Sequence, residues 1–237
     1  MATQDSPFHG LQIEDNPVLE VTPQEQTLQQ NLEQYMQHYR ALPANADELE
    51  KAILMLDIAE CHLGLDELVE AHDWAKKTFD TFVKHDDWQH AVDCCDILYN
   101  CNQPDSLIAL GNGIWLAVTF PIDPTVSVQM LHHIVDETPD DSDGAAVAAM
   151  LAHYLAETRA DDKVHENLTF ITNQIIAQVA KRHRGIDDEK TIQTWIKMYE
   201  LDDISSLLSK MALILDTIVA EQWWYDRDEI RSRLPVN

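Results

Sequence analysis

Glycine is scarce in this chain, with six among 237 residues, while Ala, Leu, Gln and Glu are plentiful. That balance favours helix over sheet, and no stretch alternates apolar and polar residues between hairpin turns. Basic residues are scarce too. Sixteen Lys and Arg stand against 42 Asp and Glu, a formal charge of −26. Such a chain repels a nucleic-acid backbone and an anionic membrane, so neither is expected as a partner. Long apolar runs are missing: the longest, Ile108 to Phe120, is too short to span a bilayer and is interrupted by Gly111, Asn112 and Gly113. The N-terminus has no basic region followed by an apolar run, and the four cysteines all fall within the first 101 residues. A cytoplasmic protein with reduced thiols is the expectation.

What is present is ordinary globular material, 45% hydrophobic and 24% charged, in a length that can bury a substantial core. Residues 1–22 are polar and contain Pro7 and Pro17, and read as a loosely ordered tail. Residues 23–237 read as a single all-α domain, with a sub-boundary at the acidic stretch 136–144. Apolar residues at helical spacing place helices over Pro23–Arg40, Asp47–Leu63 and from Asp66 through Phe82. A further helix begins at Trp88, with Cys95 on its apolar stripe. Gly64 reads as a helix stop and Asp66 as the start of the next helix. Pro104 and Asp105 open a hydrophobic helix in which Gly111 and Gly113 imply either a kink or very close packing. Asp123 with Pro124, Ala145, Asp161 or Asp162, Asp187, and Asp202 or Asp203 begin the rest. The expected total is about ten helices, arranged as an α-hairpin array or an irregular bundle.

Two junctions twenty residues apart are alike, LGLDELVEA (63–71) and VKHDDWQHA (83–91). The second, from Phe82 through Lys84, Asp87, Trp88 and Ala91, resembles the turn of a tetratricopeptide repeat over one hairpin, about residues 70–104. Phe79 stands where that family has glycine, and Pro104 falls one place late. The resemblance implies stacked hairpins with a concave groove that binds peptides or proteins.

Cys61, His62, His72, His90, Cys94, Cys95 and Cys101 carry the residue types of a zinc, copper or redox site. There is no Cys-x-x-Cys, however, and adjacent Cys94 and Cys95 point about 100° apart on a helix. The plainer account is buried packing, with His62 at a helix C-terminus. His132 with Asp136, and His90 with Asp93, sit one turn apart and read as solvated ion pairs. No Glu-x-x-His supports a carboxylate-bridged metal pair. Asp141, Asp143 and Gly144 match part of a calcium loop, but Pro139 and Met150 occupy positions that must ligate. Lys181, Arg182, His183 and Arg184 suit a helix C-terminus before Gly185. No cofactor, metal or catalytic residue is assigned.

The charge is uneven: residues 1–180 carry 31 acids and 7 bases, and residues 181–237 carry 11 and 9. The expected function is therefore non-enzymatic: an adaptor, client-specific chaperone or assembly factor whose acidic face holds a basic protein segment. Two alternatives are an inhibitor or nucleic-acid mimic that blocks a basic site, and a metal-binding protein using Cys61, His62, Cys94 and Cys101. Candidate partner-binding residues are Asp86, Asp87 and Trp88 at the hairpin turn, and Trp223, Trp224 and Tyr225 near the C-terminus. The three adjacent aromatics read either as a terminal helix docked on its own domain or as a contact between copies.

Overall fold

Acidic residues make the turns that glycine would ordinarily make. In the computed structural model, which describes residues 22–234, Asp66 (φ 61°), Asp86 (φ 55°) and Glu200 (φ 51°) are left-handed. Each closes a Schellman motif. Glu67 N–H donates to His62 O at 2.9 Å and Asp66 N–H to Leu63 O at 3.0 Å. Asp87 repeats this to Phe82 O at 2.9 Å, and Leu201 to Ile196 O at 2.9 Å. The likeness of 63–71 to 83–91 is thus a shared turn. α2 runs Glu48–Gly64 and so ends at the expected glycine, but Asp66 supplies the left-handed residue of the turn rather than starting the next helix. Gly64 also admits Leu28 of the preceding helix, which would stand 2.8 Å from a methyl placed there.

The described residues form twelve helices and no strand. They are α1 (Pro23–Ala41), α2, α3 (Leu68–Ala75), α4 (Phe79–Lys84), α5 (Trp88–Asn100), α6 (Ser106–Thr119), α7 (Pro124–Glu137), α8 (Asp143–Arg159), α9 (His165–Arg184), α10 (Glu189–Met198), α11 (Ile204–Val219) and α12 (Arg227–Ser232). The tail expected over residues 1–22 lies, apart from Thr22, outside the described residues. Local chemistry accounts for most boundaries. Asp47, Asp123, Asp188 and Asp203 accept N-cap hydrogen bonds from the helices they precede. Thr22 and Glu25 form a capping box on α1. The helix expected from Asp66 through Phe82 is broken at residues 76–78. There the Ala75 carbonyl accepts from the Thr78 hydroxyl at 2.8 Å and from the Cys94 thiol at 3.2 Å, and these contacts mark the end of α3.

Most successive helices from α1 to α9 pack as neighbours, and several second neighbours also touch, as α3 does α5, α5 does α7 and α7 does α9. The last long helix departs from this order. α11 returns to pack on α6 and α8, which closes the bundle instead of extending an open array. Gly111 and Gly113 make α6 the pivot. A methyl on Gly113 would stand 2.6 Å from Cys95 Cβ and 2.5 Å from Met130 Cε, and one on Gly111 would stand 2.4 Å from Val219 Cγ2 of α11. Of the two readings of this Gly-x-Gly, close packing is the one observed. Most of α6 is buried accordingly, and α8 buries nine of its seventeen residues.

Candidate functional site

The two sets of candidate partner residues meet in space. Trp223, Trp224 and Tyr225 do not lie on a helix but in the link between α11 and α12, and all three are half-buried. Trp224 packs edge-on against Phe79 at 5.0 Å, with the Lys76 ammonium 3.5 Å from its ring centre. Tyr225 lies against Phe79 and Trp115, at 6.1 and 5.4 Å. Its hydroxyl donates to Asn112 O at 2.7 Å, and burial holds its pKa well above the usual range. The link docks on its own chain. Arg233 then reaches the other set, donating to Asp86 Oδ1 at 2.7 Å and to Val83 O at 3.2 Å. Asp87 caps α5 and pairs with His90 at 2.7 Å, while Trp88 stacks on Phe120 at 4.2 Å. Each of these six residues thus has partners within the fold.

The sulfur and imidazole candidates do not assemble. Cys61, Cys94, Cys95 and Cys101 are all free and buried. Burial, followed by Glu60 and Asp57, pushes the Cys61 thiol up to about 11. Burial likewise lifts Cys94 to about 12, Cys101 to about 11 and Cys95 well above its usual value. Thiols of this kind stay protonated at neutral pH, whereas a metal ligand or redox nucleophile must be a thiolate. Among the described residues no three His, Cys, Asp or Glu side chains come together as a metal site. His62 bonds Glu67 at 2.6 Å, and His72 bonds Asp105 at 2.9 Å. His132 meets Asp136 at 3.4 Å, as the spacing implies. The pairing of His90 with Asp93 does not occur. Asp87, three residues before the histidine, takes it, and Asp93 accepts from Gln89 at 3.0 Å. In the basic run, Arg182 donates to Val135 O at the end of α7 and Arg184 to the Tyr199 hydroxyl.

The most distinctive concavity is one that no motif announced. A cleft of about 430 Å³ opens where α2, α5 and α7 converge. Asp57 and Glu60 come from α2 and Asp93 and Asp96 from α5, each pair three residues apart on one helix face. Leu56, Leu63, Ile97 and Val126 supply apolar lining, and no Lys or Arg is among the lining residues. Asp96 is satisfied by Gln129 at 3.1 Å and His133 at 2.9 Å. Asp93 is less well compensated. Burial raises its pKa to about 6, with Asp96 and Glu60 adding to the shift and Gln89 and His90 opposing it. Burial raises Asp57 as well, and the Asp57 charge is the main cause of a raised Tyr35 pKa on neighbouring α1. The cleft is a concentration of negative charge in a partly dry, partly apolar setting, where Coulomb interactions are stronger than in water.

These features define a closed all-α bundle with an acidic cleft on one side and an aromatic–arginine clasp at its C-terminus. No family model, curated protein or solved structure matches the chain. Among the described residues no helix is long and apolar enough to cross a membrane.

Proposed function

We propose that the protein is a non-enzymatic interaction module whose α2–α5–α7 cleft receives a lysine or arginine side chain from a basic segment of a partner protein. The observation that carries this is the convergence of Asp57, Glu60, Asp93 and Asp96 on one partly apolar cleft with no Lys or Arg in its lining, and the raised Asp93 carboxyl agrees with it. A guanidinium or ammonium entering the cleft would stabilise the ionised carboxylates, and its aliphatic stem would cover the leucine and isoleucine lining. The wider acidic surface would steer the encounter and suppress acidic competitors. Adaptor, chaperone and assembly factor are roles such a module serves.

Calorimetric titration with a short peptide rich in arginine and lysine tests the reading. Wild-type protein should bind it, with affinity falling steeply as salt rises. The triple variant Asp57→Asn, Glu60→Gln, Asp93→Asn removes three negative charges of a large excess, yet should weaken binding at least about tenfold, or roughly 1.4 kcal/mol. Equal binding by both proteins would assign the interaction to diffuse surface charge and sink the cleft reading.

A further inference from the structure

A separate feature concerns the C-terminal clasp. After α11 the chain reverses through Ala220 (φ 48°) and Glu221 (φ 67°). Among the described residues this is the one place where two consecutive non-glycine residues are left-handed, a conformation that disfavours any residue with a Cβ. Beyond this hinge the chain lies in a seat formed by α4, α5 and α6. Phe79 and Trp115 are buried beneath it, and Tyr225 and the Trp224 backbone N–H satisfy the carbonyl and side-chain oxygens of Asn112 at 2.7 and 3.1 Å. Lifting the segment away would break both hydrogen bonds to Asn112 and bare two buried aromatic rings to water. The seat therefore strongly favours being occupied, while the hinge that supplies its occupant is strained.

We propose that the same seat is filled in trans, so that two copies of the chain exchange the residues from Glu221 onward. An identical segment offers every contact the resident one makes, including Arg233 on Asp86 at 2.7 Å. In an exchanged pair each hinge can extend and leave the left-handed region. What the exchange loses is association entropy and the mutual repulsion of two chains of charge −26, which salt screens. An occupied seat and a hinge under strain are the conditions under which terminal segments swap.

The test uses the full-length chain, equilibrated overnight at rising concentration in high salt and measured by light scattering coupled to size exclusion. Wild type should show a concentration-dependent dimer. The double variant Ala220→Gly, Glu221→Gly adopts the closed hinge without strain, so it should remain folded and raise the dimer dissociation constant by at least about tenfold. A wild type that stays monomeric at every concentration overturns the proposal. So does a dimer whose dissociation constant is unchanged by the hinge glycines, because that dimer would form through another surface.

Discussion

Helices α1 to α8 and helices α9 to α11 solve the problem of a surface differently. Residues 22–162 carry 26 acids and 6 bases, whereas residues 163–219 carry 8 and 7. The exposed large hydrophobic residues are distributed the opposite way. Val164, Phe170, Ile171, Met198, Leu208 and Leu213 lie in the balanced region, and only Val69, Leu107 and Tyr154 in the acidic one. The acidic region combines a dense interior, with α6 buried on nearly all sides and half of α8 buried beside it, and a charged exterior. The balanced region is a thinner layer laid over it, and α11 joins the two by packing on α6 and α8. Charge thus concentrates where the cleft lies and thins out where α11 and the clasp close the bundle.

The largest effect expected from adding a single methyl separates packing inside the acidic region from packing across the boundary. Gly113 faces Cys95 and Met130 on α5 and α7, while Gly111 faces Val219 on α11. Cys95 Cβ is fixed to its backbone and cannot rotate away. Gly113→Ala should therefore cost about 2 kcal/mol in urea unfolding, after allowing for alanine's better helix propensity. Gly111→Ala should push on the last turn of α11, and its effect should appear as faster amide exchange in α11 with α5 unaffected. If both variants loosen the same helices, the two regions form one cooperative unit and the division is only one of surface charge.

The next effect has the opposite sign. Asp93 has a folded-state pKa of about 6 against an ordinary 3.8, so between those values the folded protein holds a proton that the unfolded chain has released. Stability is then lost as pH rises through that window and stays lower above it. Asp93→Asn should leave stability unchanged below about pH 4 and raise it by about 1–2 kcal/mol at pH 7, a figure reduced for partial solvent screening. Thermal melts of the two proteins from pH 4 to 8 would diverge in that range. Parallel curves would mean that the cleft is wetter than its geometry indicates. Binding of a basic peptide should follow the inverse course, weakening as pH falls through about 6 and Asp93 takes up its proton.

Features written in adjacent residues were legible in the sequence, and features created by folding were not. Asp47, Asp123 with Pro124, and Asp203 were readable as helix starts because an N-cap needs only its own next turn. Gly64 marked the end of α2, but Asp66, read as a helix start, is the left-handed residue of the turn, a role that spacing does not reveal. His90 had an acid three residues away on either side, Asp87 and Asp93, and spacing alone cannot choose between them. Gly111 and Gly113 announced a close approach without naming Val219, more than a hundred residues on, as what approaches. The cleft escaped for the same reason. Asp57 with Glu60 and Asp93 with Asp96 look like ordinary solvated helix faces until α2 is laid beside α5, past the intervening α3 and α4.

The smallest expected effect is the most direct check on how the two regions differ. Phe170 on α9 is 61% exposed, in the region that lacks the acidic coat. An exposed side chain contributes little to folding, so Phe170→Ser should move the urea midpoint by no more than about 0.5 kcal/mol in equivalent stability. Phe82, fully buried in the acidic region, sets the contrast, since Phe82→Ser would remove a core ring and introduce a hydroxyl there, costing about 3 kcal/mol or more. A large loss at Phe170 would mean that this face is covered in solution, and the balanced charge of α9 to α11 would then mark a second contact surface. A negligible loss leaves the acidic region as the only one whose surface chemistry singles out a type of partner.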